Sequence, residues 1–124
     1  MSTILIVEDN EKNMKLLRDV LTFKGHKVIE AIDGETGVAL GQSELPDLVL
    51  MDIQLPGING VEALKQLRAD ERTAKIPIIA VTASVMDQDR RVIIDAGFDA
   101  FVSKPVSLKE FMAAVNQALE GSAR

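Results

Sequence analysis

Polar side chains that could do chemistry stand directly after several short apolar runs of this sequence. Glu8 and Asp9 follow the first such run, Asp52 and Thr82 end two later ones, and Lys104 follows the last. Three carboxylates brought into one cleft would repel one another and would need a cation. Carboxylate, carbonyl and water oxygens together suit a small hard ion such as Mg²⁺, which keeps several of its waters.

This set of side chains could also receive a phosphoryl group. Mg²⁺, the Lys104 ammonium and the Thr82 hydroxyl would surround the phosphoryl oxygens while an aspartate acts as the nucleophile. The sequence has no glycine-rich phosphate loop, so a bound nucleotide is not the expected phosphoryl source. Taken singly, Glu8 and Asp9 could simply open a helix, and Lys104 could be a solvated surface residue. Their joint placement favours a site.

The apolar runs themselves predict five strands. Residues 4–7, 48–51 and 78–81 are continuously apolar, as strands buried on both faces of a sheet should be. Residues 27–31 and 100–102 are more mixed and suit the edges of the sheet.

Amphipathic segments between the strands predict helices. Their apolar residues recur at helical spacing and are expected to face the core. The three clearest sets are Met14, Leu17 and Leu21; Val61, Leu64 and Leu67; and Leu108, Phe111, Met112, Val115 and Leu119.

Local chemistry marks where these helices should begin and end. Asn59 with Glu62 and Ser107 with Glu110 have the spacing of capping boxes, and Ser84 could also cap a helix. Glycines stand where helices are expected to stop, and residues 121–124 are expected to be a frayed tail. These glycines are Gly25, Gly41, Gly97 and Gly121.

Strands that alternate with helices predict an α/β fold of one domain, covering residues 1–124. Parallel strands need helical crossovers of one hand, which place helices on both faces of the sheet. With the mixed strands at the edges, the favoured order is 2-1-3-4-5, the flavodoxin-like doubly wound (βα)5 arrangement. The carboxyl ends of the strands then share one edge, and ligands bind there where the strand order reverses, between strands 1 and 3.

Composition argues against several classes of function. The net charge is −5, from 14 basic and 19 acidic residues, which disfavours nucleic-acid binding. The absence of cysteine excludes disulfides and thiolate metal ligands, and the absence of Trp and Tyr argues against a flavin pocket. Neither a bilayer-length apolar run nor a signal-peptide pattern is present, so a cytoplasmic protein without membrane insertion is expected.

Four segments of the sequence resemble the signature segments of response-regulator receiver domains, the CheY-like superfamily. The resemblance covers essentially the whole chain, and the segments fall in the right order at the right strand ends. The run from Glu8 to Leu17 most resembles a branch of single-domain regulators that act in cell division. The four segments are Val7 to Asn10, Met51 to Gly57, Val81 to Ala83 and Ser103 to Pro105.

The resemblance implies a role for each residue of the site. Asp52 would accept a phosphoryl group from a phosphohistidine, and Lys104 would pair with the phosphoryl oxygens. Asp9, Asp52 and the backbone carbonyl of Gln54 would ligate Mg²⁺, and Glu8 would act through a water. Three positions depart from common family usage, and two of them are in this set: Glu8 is often Asp in relatives, and Gln54 is often Asn, Met or Arg.

The resemblance also implies a switch. Thr82 would move to hydrogen-bond a phosphoryl oxygen, and Phe101 would swing inward with it. Phe101 stands where relatives often have Tyr, so the aromatic ring is kept without its hydroxyl. The bond between Lys104 and Pro105 would be cis, which costs only about 1 kcal/mol before proline. The output face would be the fourth helix, fifth strand and fifth helix, roughly residues 84–119.

The sequence therefore predicts a bacterial single-domain response regulator, a phosphorylation switch with no enzymatic activity in the ordinary sense. Its expected partners are histidine kinases, a histidine phosphotransfer protein and a downstream regulatory protein. It would be a monomer or a weak phosphorylation-dependent dimer. The alternative is a phosphate-independent pseudo-receiver, which would be expected to lack an acid or the lysine. An aspartate-nucleophile phosphatase is disfavoured by Gln54 at the place of a second Asp, and a flavodoxin-like electron carrier by the missing Trp and Tyr.

Overall fold

Strands and helices alternate along the whole chain. A computed structural model describes residues 2–82, 87–104 and 107–122, so the predicted cap Ser84 and the predicted cis proline Pro105 lie outside the described residues. The elements are β1 (Thr3–Val7), α1 (Glu11–Phe23), β2 (Lys27–Ala31), α2 (Gly34–Glu44), β3 (Leu48–Asp52), α3 (Gly60–Ala69), β4 (Ile78–Thr82), α4 (Asp87–Ala96), β5 (Ala100–Ser103) and α5 (Leu108–Ser122).

All strand pairs are parallel, and the strand order is β2-β1-β3-β4-β5. The predicted fold class and strand order are therefore confirmed. Every residue of β3 and β4 is buried, whereas β2 and β5 each have one buried residue and are otherwise partly or fully exposed. Strands covered by helices on both faces need apolar residues throughout, which is why the most apolar runs occupy the centre.

Alternate residues of each strand point to opposite faces and build two hydrophobic cores. Leu5, Val49 and Ala80 belong to a core that includes residues of α2, α3 and α4. The intervening residues, among them Ile6 and Leu50, belong to a second core with α1 and α5. The sheet is thus held rigid from both sides, and its carboxyl edge is a fixed platform.

The predicted helix faces are mostly confirmed. Met14, Leu17 and Leu21 of α1 are buried, as are Phe111 and Val115 of α5. The prediction that Leu108 shares the buried face of α5 is wrong, since it is 47% exposed. It is the first residue of that helix, one turn before the segment that packs on the sheet. None of the helices within the described residues is long and apolar enough to cross a bilayer.

Three of the predicted helix-end signals are confirmed, and two predicted glycine stops are wrong. The capping box of Asn59 and Glu62 is present, and Gly25 and Gly97 have positive φ directly after helices. Gly41 does not stop a helix but lies inside α2, and Gly121 lies inside α5, which continues to Ser122.

Packing explains the glycine inside α2. A Cβ at Gly41 would lie 2.9 Å from Leu67 Cδ2, so the missing side chain lets α2 approach α3 closely. The helix instead ends at Glu44, and Leu45 takes the left-handed conformation with φ 47°. A single interior glycine costs only about 1 kcal/mol relative to alanine, which such packing can offset.

Candidate functional site

The carboxyl edge of the sheet brings the polar residues together. Glu8 directly follows β1, Asp52 ends β3, Thr82 ends β4 and Lys104 directly follows β5. Because β1 and β3 are neighbours at the point where the strand order reverses, their ends open the cleft in which such folds bind ligands. One carboxylate oxygen from each of Glu8, Asp9 and Asp52 lies within 4.8 Å of the others.

Asp52 is buried at the centre of this cluster, with only 4% of its surface exposed. Its Oδ1 accepts a hydrogen bond from the Gln54 backbone N–H at 3.0 Å. Its Oδ2 accepts one from the Lys104 ammonium, also at 3.0 Å. Two donors on opposite oxygens fix the plane of the carboxylate.

Lys104 bridges two acids with one ammonium group. Its Nζ lies 3.0 Å from Asp52 Oδ2 and 2.9 Å from Glu8 Oε1, and its side chain is 18% exposed. Its backbone N–H donates to the Thr82 carbonyl at 2.8 Å, which extends the pairing of β4 and β5 by one residue. Burial lowers the pKa of Lys104, but its interactions with the Glu8 and Asp52 carboxylates outweigh this effect, and the pKa is raised. The side chain is therefore a cation at neutral pH.

Glu8 is the most deeply buried acid of the site, only 1% exposed. Its Oε2 accepts a hydrogen bond from the Asn10 backbone N–H at 3.1 Å. Its Oε1 forms the ion pair with Lys104 but has no well-aligned hydrogen bond within the described residues. Burial, together with the close approach of the Asp52 carboxylate and repulsion from it, raises the pKa of Glu8 to about 7, against the lowering effects of Lys104 and Asn10. A second full negative charge here is costly without a further cation.

The donor set fits Mg²⁺. Three carboxylates offer hard oxygen ligands, and the lone ammonium of Lys104 does not balance them. Asp9 is exposed and so can be reached from solvent, while Glu8 and Asp52 form the floor. Gln54, the fourth residue predicted to bind metal, is exposed and lies in the loop of residues 53–59. Its backbone N–H donates a hydrogen bond to Asp52 Oδ1.

Thr82 ends β4, and Phe101 lies in β5, the strand that Lys104 directly follows. Thr82 is buried at the end of β4 and pairs with Ser103 of β5. Phe101 is half-buried and packs against the core that contains Ala80, its partner in β4. Thr82 therefore lies at the same strand ends as the acids, whereas Phe101 lies two residues before the end of β5, and the switch role of both stays a prediction.

Some residues that shape the site carry no sequence signal for it. A Cβ at Gly60 would overlap the carbonyl oxygen of Asp52, so only glycine lets α3 begin directly over the end of β3. The Gly60 N–H donates to the Ile53 carbonyl at 2.9 Å and closes the loop of residues 53–59. Glu35 of α2 accepts a hydrogen bond from the Ile58 N–H at 2.9 Å. The Asn59 capping signal marked the start of α3, but nothing local marked Glu35.

Comparison with known families gives one match to most of the chain. Residues 4–116 match the model of the response regulator receiver domain. The match spans β1 to most of α5 and therefore includes every residue of the site described above.

Individual relatives agree with this match. The chain is 43% identical over 117 residues to the polar-differentiation response regulator DivK of Brucella ovis, covering 94% of this chain and 95% of that protein. A crystal structure of the receiver domain of a Pseudomonas aeruginosa sensor histidine kinase, with magnesium coordinated in its active-site cleft, is 31% identical. It superposes with a TM-score of 0.89 and covers 96% of this chain and 98% of that one. A CheY-like receiver domain from Methanospirillum hungatei is 28% identical with a TM-score of 0.88, covering 99% and 97% of the two chains.

Proposed function

This chain belongs to the response regulator receiver domain family, and from that premise we propose that it is a phosphorylation switch with Asp52 as its phosphoryl acceptor. One observation carries the proposal. Asp52 is buried at the carboxyl edge of the sheet with one oxygen on the Lys104 ammonium and the other on the Gln54 N–H. Two donors hold this buried carboxylate, and two further acids lie beside it. Such an arrangement suits attack on a phosphoryl group whose negative charge a bound cation neutralises.

The reaction we propose is transfer to a carboxylate oxygen of Asp52. That oxygen bonds to phosphorus as the bond between phosphorus and the donor nitrogen of a phosphohistidine breaks, and the freed imidazole takes up a proton. The product is an acyl phosphate on Asp52. Lys104 lies 3.0 Å from Asp52 Oδ2 and would pair with the new phosphoryl oxygens.

Glu8, Asp9 and Asp52, with the backbone carbonyl of Gln54, would hold Mg²⁺ in this site, with Glu8 acting through a water. When bound, Mg²⁺ would supply the positive charge that Lys104 alone does not provide, both for the acids and for the phosphoryl oxygens. Bound Mg²⁺ would favour the ionised form of Glu8, whose pKa burial raises in its absence.

The signal leaves the site through protein contacts in this proposal. The Thr82 hydroxyl hydrogen-bonds a phosphoryl oxygen, Phe101 moves inward, and the face formed by α4, β5 and α5 is rearranged. Histidine kinases or a histidine phosphotransfer protein are the phosphoryl donors, and a downstream regulatory protein reads the face. The chain acts in the cytoplasm and is not an enzyme beyond its own phosphorylation and dephosphorylation. Its 43% identity to DivK supports a role in cell-cycle or cell-division control.

Chemical trapping tests the assignment of the acceptor. The protein is incubated with acetyl phosphate and Mg²⁺ and then reduced with borohydride, which converts an aspartyl phosphate to homoserine. Peptide mass spectrometry should locate homoserine at position 52 and at no other aspartate. Homoserine at Asp9 instead, or at neither position, would refute the proposal.

A further inference from the structure

We propose that Glu35 is a positioning residue for the metal site. From α2 it holds the tip of the loop of residues 53–59, on which Gln54 lies, and so sets the affinity of the site for Mg²⁺. This inference rests on the proposed function, because it takes the Gln54 carbonyl as a metal ligand.

Two contacts seat the Glu35 carboxylate on the loop. Oε1 accepts a hydrogen bond from the Ile58 N–H at 2.9 Å, across 23 residues of sequence. Gly57 has a φ of +73°, and a Cβ there would lie 2.6 Å from both carboxylate oxygens. The carboxylate therefore occupies the room that the missing side chain of Gly57 leaves free.

The helix that carries Glu35 is itself fixed against the loop and the sheet. The Asp33 carboxylate accepts a hydrogen bond from the Thr36 N–H at 2.7 Å and caps α2. A Cβ at Gly34 would lie 2.6 Å from Ile58 Cγ1, and one at Gly37 would lie 2.7 Å from Val7 Cγ2. The first turn of α2 thus packs directly on the loop and on β1, and a group on such an element is held more precisely than one on a loop.

The base of the loop is held independently of Glu35. The Ile53 N–H donates to the Val81 carbonyl at 3.2 Å, and the Gly60 N–H donates to the Ile53 carbonyl at 2.9 Å. The Gln54 N–H donates a hydrogen bond to Asp52 Oδ1. Loss of the Glu35 contact would leave these anchors in place but would free the peptide units after Gln54, including its carbonyl, to rotate. We therefore expect a weaker metal site on an intact fold.

The test is direct Mg²⁺ titration of the unphosphorylated ¹⁵N-labelled protein, followed by the amide signals of Gln54 and Ile58. Glu35→Ala removes the acceptor and should raise the dissociation constant about fivefold, the scale of the net contribution of one typical hydrogen bond. Glu35→Gln keeps a side-chain oxygen and should recover most of the affinity. Glu44→Ala is the matched control, since it removes an exposed acid from the far end of the same helix.

A double substitution separates positioning from charge. Gly57→Ala places a methyl group where the carboxylate lies, so it should also weaken Mg²⁺ binding. It should cost less in the Glu35→Ala background than in the wild type, because the displaced group is already gone. Urea unfolding without Mg²⁺ checks that each variant retains its fold.

Three results would overturn the inference. One is a dissociation constant for Glu35→Ala within twofold of that for Glu44→Ala, and another is equal weakening by Glu35→Ala and Glu35→Gln. The third is a wild-type protein that binds no Mg²⁺. The readout needs no phosphorylation, so a wild type that binds Mg²⁺ but accepts no phosphoryl group would refute the proposed function alone.

Discussion

The Lys104 ammonium lies 3.0 Å from Asp52 Oδ2, although 52 residues separate the two in sequence. The same ammonium lies 2.9 Å from Glu8 Oε1, so it is shared between two buried acids. The contact exists because β5 delivers Lys104 to the sheet edge at which β3 ends. The charge balance of the site therefore depends on the order of the strands in the sheet.

Removal of the shared ammonium should destabilise the protein more at neutral than at acidic pH. We expect Lys104→Ala to lower the free energy of unfolding by about 1–3 kcal/mol at pH 7.5, because two buried acids lose their counter-charge. The loss should be smaller at pH 5, where Glu8 holds a proton. Urea denaturation of the metal-free protein at both pH values measures it. Lys109→Ala, which removes an exposed lysine, is the control, and equal effects of the two variants would contradict the prediction.

The raised pKa of Glu8 predicts how stability depends on pH without metal. The unfolded state ionises Glu8 near 4.5, whereas the folded state does so near pH 7, so the unfolded state binds fewer protons between these values. Stability should therefore fall as pH rises through this window, by on the order of 1–3 kcal/mol, and the loss should be complete above it. Denaturant midpoints between pH 4.5 and 8 measure the slope.

Glu8→Gln supplies the comparison for that slope. The variant cannot ionise at this position, so its stability should change less over the same pH range than that of the wild type. Addition of Mg²⁺ should stabilise the wild type more at pH 7.5 than at pH 5, because binding competes with the proton. A pH profile that is identical in the wild type and in Glu8→Gln would contradict the assignment of the buried charge.

The close approach at Gly60 should make this position intolerant of any side chain. Gly60→Ala would push α3 away from the carbonyl of Asp52, and we expect a loss of about 2 kcal/mol or more in unfolding free energy. Gly25→Ala is the contrast, since it has positive φ but nothing within 4 Å of its added Cβ. If thermal or urea unfolding shows Gly25→Ala to be as destabilising as Gly60→Ala, the close contact with Asp52 does not explain the need for glycine at position 60.

The Thr82 hydroxyl should matter for the response more than for phosphorylation itself. Thr82→Ala should still accept a phosphoryl group on Asp52 at a rate within about tenfold of the wild type. It should fail to transmit the change, because the hydroxyl that would bond the phosphoryl oxygen is absent. Changes in the NMR amide signals of α4, β5 and α5 on addition of acetyl phosphate measure whether the change is transmitted. Ser103→Ala, at the neighbouring strand end, should respond like the wild type, and a normal response of Thr82→Ala would rule out its switch role.

The strands and their order were predictable because they depend on local sequence patterns and on a general rule for connecting parallel strands. Continuous apolar runs mark buried strands, and the crossover rule places their carboxyl ends together. That reasoning alone brought Glu8, Asp52 and Lys104 to one edge, where the structure has them.

Features set by partners distant in sequence were not predictable. Gly41 looked like a helix stop because glycine usually has that role, yet its use is to admit Leu67 of another helix. The hydrogen bond between Glu35 and Ile58 joins residues that follow no shared local pattern. Leu108 fitted the helical spacing of apolar residues, but this spacing does not show which turns of a helix contact the sheet.

Intact mass after incubation with acetyl phosphate tests the central claim most directly. Wild type and Asp95→Asn, which alters an exposed aspartate of α4, should each gain one phosphoryl group with Mg²⁺ and none with a chelator. Asp52→Asn should gain none in either condition. A phosphoryl group on Asp52→Asn, or none on the wild type with either acetyl phosphate or a phosphohistidine donor, would contradict the account.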